Sequence, residues 1–255
     1  MSQYQNPYDQ GSQSDIGALQ ARYADVVAET SVDQRVDFLR KTYAHLFGAV
    51  AAIVAIQFLI FTLVPQETLM ATVGFALSGF NWLIVLGGFM LVSTIANKWA
   101  HNAVSLQTQY IGLGLYVLAQ SAILVPLLFV AHNFYAEHYV IETAGIATLL
   151  LFGALTTFVF VSKKDLSFMG GILTVLAFCA LGLIVCSILF NFQLGILFVV
   201  PMIGLASGFV LYHTSMVQHR YRVGQHVAAS LGLLGSLVIL FWYMLQLAMI
   251  LADRR

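Results

Sequence analysis

The chain has 255 residues, of which 60% are hydrophobic and 9% charged, and its formal net charge is zero. A soluble domain carries roughly a quarter charged residues and somewhat under half apolar ones, so one aqueous core cannot absorb this excess and much of the surface must face lipid. The neutral balance, without a long basic or acidic run, excludes electrostatic capture of nucleic acid.

Residues 1–40 form a polar cytoplasmic tail rich in Gln, Ser, Asp, Tyr and Asn, with no run apolar enough for a signal peptide, so the tail is expected to stay on the chain. The stretch from Tyr4 to Ser14 has the composition of a disordered segment. Leu19, Tyr23, Val26 and Val27 recur at helical spacing, and Ser31 with Gln34 makes a capping box that opens a helix running on into the first span.

A membrane domain over residues 41–252 follows, with residues 253–255 left as a short C-terminal tail. Its apolar runs cover residues 43–64, 80–97, 110–131, 140–161, 168–190, 193–213 and 227–251, each near the ~20 residues that cross a ~30 Å hydrocarbon layer as a helix. They do not alternate as barrel strands would. The expected fold is therefore an all-α integral membrane protein with seven transmembrane helices.

Lys and Arg fix the expected orientation, because they are retained on the cytoplasmic side. With the N-terminus inside, Arg22, Arg35, Arg40, Lys41, Lys98, Lys163, Lys164, Arg220 and Arg222 all fall inside, and only Arg254 and Arg255 fall outside. The outer loops 65–79, 132–139 and 190–192 carry no Lys or Arg. That pattern favours an odd number of spans and an outside C-terminus; the terminal arginines leave six spans plus a re-entrant segment as the alternative.

Polar groups inside the runs are the places to look for function, since hydrocarbon tolerates them only when they pair or line a cavity. The candidates are Gln57, Gln120, Glu142, His213, Ser236 and Gln246. The glutamines are expected to join helices by hydrogen bonds, and Glu142 to sit at a helix N-terminus. His213 is the ionisable group deepest in the runs, and antiparallel geometry brings it to a depth similar to that of Ser236. Gly204 with Gly208 on the sixth span, and Gly232 with Ser236 on the seventh, are small-residue pairs suited to close helix approach there. Packing around a neutral histidine competes with a gating role. Pro126 and Pro201 interrupt two runs and mark either movable or static segments.

Cys179 and Cys186 lie two helical turns apart on one face, too far for a mutual disulfide, and read as ordinary apolar-facing residues. Lys163 and Lys164 anchor topology, and Asp165 or Ser167 is positioned to cap the fifth span. No nucleophile and base arrangement, metal-ligand spacing or phosphate loop is present, so no enzyme chemistry, cofactor or metal is expected.

Three segments, KKDLSFMGG at 163–171, FLRKTYAHLFGA at 38–49 and LYHTS at 211–215, resemble the Bax inhibitor-1/YccA family. The resemblance spans residues 38–251 and implies six helices around a central seventh, with Lys163, Lys164, Asp165 and Ser167 in the signature loop. Some members of that family are pH-sensitive calcium leak channels, in which an acidic pair on the last two helices shares a proton. The positions matching that pair are His213 and Ser236, so both carboxylates are missing, and with them the coupled titration and the anionic site for a divalent ion. An arginine the family often carries at the cytoplasmic end of the second helix has Lys98 as its approximate match. Other, bacterial members are similar to modulators of a membrane-anchored AAA protease, which would engage the tail and needs no ion site. The resemblance thus implies a non-enzymatic modulator of membrane-protein quality control in a bacterial inner membrane, with a calcium or cation leak tuned by His213 as the alternative.

Overall fold

The computed structural model describes residues 26–102 and 105–254. The expectations for Tyr4 to Ser14, Leu19, Tyr23, Arg22 and Arg255 lie outside the described residues. Among those residues the chain forms eight α-helices: α1 (Val32–Leu63), α2 (Gln66–Leu77), α3 (Asn81–Ala100), α4 (Leu106–Phe134), α5 (Val140–Ser162), α6 (Met169–Leu189), α7 (Ile196–His219) and α8 (His226–Ala252). All except α2 are long and apolar enough to cross a membrane, which makes a multi-pass, seven-span protein.

Ser31 opens α1 by accepting the Gln34 N–H at 3.4 Å, as the capping box predicts. The helix then runs unbroken for 32 residues, so polar residues 32–40 are the first turns of the first span. The stretch 65–79, expected as a loop, contains α2 instead. Its 12 residues reach only ~18 Å, too short to cross, and Leu69 and Val73 pack it onto Phe129 of α4. Apolar residues three and four apart stabilise such a helix against a neighbour even without span length. The fifth and sixth runs, joined by only a few residues, are separate full helices, α6 and α7.

α8 is the axis of the bundle and packs against α1, α3, α4, α5 and α7. Leu231, Leu233, Leu234, Leu240 and Leu245 of α8 are among the most completely buried side chains in the molecule. The remaining span, α6, packs chiefly on α7. The glycine pairs divide accordingly. Gly208 faces Leu173 of α6 and Gly204 faces open space, so the pair on α7 does not meet α8. Gly112 lies against the backbone of Ala96 and Ala100, where a Cβ would come within 2.7 Å of the Ala96 carbonyl, and so sets the close crossing of α3 and α4. Gln57 donates to the Ser121 carbonyl at 2.7 Å and joins α1 to α4, the role expected of it.

One end of the bundle is fastened by polar contacts. The Val27 N–H donates to the Tyr221 carbonyl at 2.9 Å, and Val26 bridges Arg222 in antiparallel fashion. Arg35 reaches back from α1 to the Val27 and Ala28 carbonyls. The Val27 side chain is fully buried, a contribution on the order of 2 kcal/mol. At the opposite end the Tyr135 hydroxyl donates to Asp253 at 3.0 Å, and burial, then that carboxylate, raises the Tyr135 phenol above its ordinary value. The start of α1 and the end of α8 are therefore at opposite ends of the bundle.

Candidate functional site

A cavity of about 760 Å³ runs beside α8, walled by α3, α4, α6 and α7. Along α8 its floor is Gly232, Gly235, Ile239, Trp242 and Gln246. These positions recur every three or four residues and so share one helix face, and all are half-buried. The face exists because α6 rides on α7 and leaves this side of the central helix uncovered. From Leu231 to Gln246 the cavity follows α8 for ~22 Å.

His213 and Ser236 both line this cavity, as do Gln120 and Gln246. They are not directly opposed. A Cβ placed on Gly232 would lie 2.8 Å from His213 Nδ1, so the imidazole meets α8 one turn before Ser236. The Ser236 hydroxyl donates to the Gly232 carbonyl of its own helix at 3.0 Å. The offset arises because His213 lies six residues from the end of α7 and Gly232 six from the start of α8, which sets both ~9 Å from that end. The imidazole ring packs against Tyr212 at 5.0 Å and Phe209 at 6.3 Å, and no hydrogen bond to it is present among the described residues.

Lys98 sits exposed in the last turn of α3 and is not among the lining residues. The lining in fact contains no Asp, Glu, Lys or Arg. Asn97, His101, Tyr116, Tyr212 and Tyr221 line it as well, and sequence reasoning missed them. They flank the helix ends or repeat at helical spacing among apolar residues, where nothing in a single sequence separates a cavity wall from a core. Tyr221 closes the tail-bearing end, its ring 6.3 Å from His101, and burial pushes its phenol up to about 12. Among the described residues no three His, Cys, Asp or Glu side chains gather as metal ligands.

The signature loop lies outside the cavity and fastens α5 to the end of α7. Arg220 bonds Asp165 at 2.8 Å and Ser167 Oγ at 3.2 Å, and the Leu166 N–H donates to Ser215 Oγ at 2.8 Å. Asp165 also accepts the Ser167 N–H, and its bonds to Ser167, then Arg220, hold its carboxyl below the usual carboxylate range. Neither Asp165 nor Ser167 caps α6, whose N-cap is Phe168, because the carboxylate is already engaged by Ser167 and Arg220. Lys163 ends α5 in the left-handed region at φ +53°, and Lys163 and Lys164 are both exposed. Glu142 is exposed in the first turn of α5, the expected place for a carboxylate at the positive helix end. Cys179 is exposed and Cys186 half-buried on α6, and neither forms a disulfide.

Residues 35–254 match the family described as "Inhibitor of apoptosis-promoting Bax1". The "Golgi anti-apoptotic protein" of Vaccinia virus strain Lister is 29% identical over 234 residues, covering 88% of this chain and 90% of the relative. The proteins of the same name from strains LC16m0 and LC16m8 match to the same extent. No solved structure matches the chain.

Proposed function

The chain belongs to the Bax inhibitor-1 family, and from that premise we propose that it acts without catalysis, as a modulator of membrane-protein quality control that restrains a membrane-anchored AAA protease. The observation that carries this reading is the chemistry of the cavity. Its lining holds no carboxylate, and the two positions that resemblance assigns to an acid pair are a histidine and a serine bonded to its own backbone. A divalent cation needs several oxygen ligands, some of them anionic, and finds no such set there.

The tail supports the same reading. Val26 and Val27 tie the chain just before α1 to the loop between α7 and α8, which sets the end of the bundle from which a processive protease would engage the tail. Arg35, Arg40, Lys41, Lys98, Lys163, Lys164, Arg220 and Arg222 all fall at this end of the helices, which supports a cytoplasmic N-terminus and an outside C-terminus. We propose a bacterial inner membrane on the family resemblance alone. The viral relatives' name, an anti-apoptotic protein, supports regulation rather than catalysis for this chain as well. Deleting residues 1–25 is expected to weaken association with the protease and to change the turnover of its membrane substrates. Unchanged association and turnover would overturn the tail's role.

One observation favours a second reading, a pH-sensitive calcium or cation leak. The cavity follows α8 for ~22 Å, a large part of a ~30 Å hydrocarbon layer, and His213 projects into it. On that reading His213→Ala alters ion flux between about pH 5 and 8. Identical flux for both proteins would remove the histidine from it.

A further inference from the structure

The cavity has a side entrance. Trp82, Leu86 and Phe89 of α3 form one wall, and Ile184, Ser187 and Ile188 of α6 form another. α3 packs on α2, α4 and α8, and α6 on α7, with no packed seam between α3 and α6 among the described residues. Those six wall residues are half-buried, as residues flanking an open cleft should be. Both helices are membrane spans, so the cleft faces hydrocarbon and its supply of ligands is the bilayer.

The walls define the chemistry of what enters. The volume of about 760 Å³ lies within the ~300–1,000 Å³ typical of small-molecule sites. Trp82 and Trp242 stack with ring centres 6.1 Å apart and make a flat apolar wall beside α8. No charged side chain lines the space, so an ionic headgroup would be desolvated without a counter-charge, at a cost of several kcal/mol. Among the described residues the imidazole of His213, at the inner end of the cavity, has no hydrogen bond and is free to take one from a ligand. A neutral imidazole offers one donor and one acceptor, and a hydroxyl group can satisfy either.

We propose that the cleft between α3 and α6 is a binding site for an uncharged, hydroxyl-bearing amphiphile drawn from the bilayer, its hydroxyl on His213 and its apolar body along the Trp82 and Trp242 wall. The site does not depend on whether the protein modulates a protease or leaks ions.

The test uses the full chain in phosphatidylcholine vesicles and a long-chain fatty alcohol carrying a diazirine in its chain. Photolabelling is expected to be saturable, to map to α3, α6 and α8 around Trp82, Ile184 and Trp242, and to be competed by unlabelled alcohol but not by the matching alkane. His213→Ala weakens alcohol competition about fivefold, the size of one net hydrogen bond. Ser187→Trp, a half-buried position of the cleft wall where the added indole would fill the mouth, lowers labelling about tenfold. Labelling that does not saturate and falls equally on outward residues such as Leu150, Phe178 and Leu197 would overturn the site. Competition by the alkane as strong as by the alcohol would overturn recognition of the hydroxyl.

Discussion

Gly232 is the residue on which the α7 and α8 contact turns, because a single methyl group there would lie 2.8 Å from His213 Nδ1. Gly232→Ala is expected to displace the imidazole and cost ~1–3 kcal/mol, as overpacking does. Gly204→Ala, with nothing within 4 Å, is the control and should be near neutral or slightly stabilising. Thermal unfolding in detergent separates the two, and the double variant Gly232→Ala with His213→Ala should recover part of the loss because the two changes share one contact. Asp165 supplies a pH-dependent test. Its folded-state pKa lies below the ordinary ~3.9, so the stability it contributes is present above that value and is lost as pH falls through the folded one. The pair with Arg220 is exposed, so Asp165→Asn should cost less than about 1 kcal/mol at neutral pH, and the difference from wild type should vanish in strong acid.

Among the elements, the contact between the tail and the α7–α8 loop and the crossing of α3 and α4 make the sharpest claims. Val27→Ala removes buried apolar surface beneath the loop between α7 and α8 and should cost about 2 kcal/mol. Limited proteolysis should then cut the segment before α1 faster than in wild type. Gly112→Ala should fall at the upper end of ~1–3 kcal/mol, because its new methyl group meets backbone atoms of α3 that cannot rotate away. Seven spans and the Ser31 cap were legible because length, apolarity and capping chemistry are local properties. α2 was not, since a short helix in a connection has no span signal and owes its packing to Phe129, far away in sequence. The meeting of His213 with Gly232 instead of Ser236 depends on the relative register of two helices, which no local pattern encodes. The roles of Asp165 and Ser167 went to Arg220 for the same reason: their partner lies more than fifty residues on.

At the scale of the whole molecule, a central helix with one uncovered face replaces the evenly wrapped axis that six surrounding helices suggest. Sequence periodicity foretold an apolar α8 but could not tell the face packed in one core with Ala206 and Val210 from the face open to the cavity, since both carry small and apolar residues. The uncovered face gives the molecule a neutral chamber of about 760 Å³ where an acid pair would make an ion site, and the account rests on that difference. Calcium flux into liposomes holding the purified protein, at about pH 6 and about pH 8 on either side of ordinary histidine titration, tests it most directly. The account predicts no flux above that of empty liposomes at either pH. A flux that changes with pH would contradict it, and would make the chamber a conducting path without carboxylates.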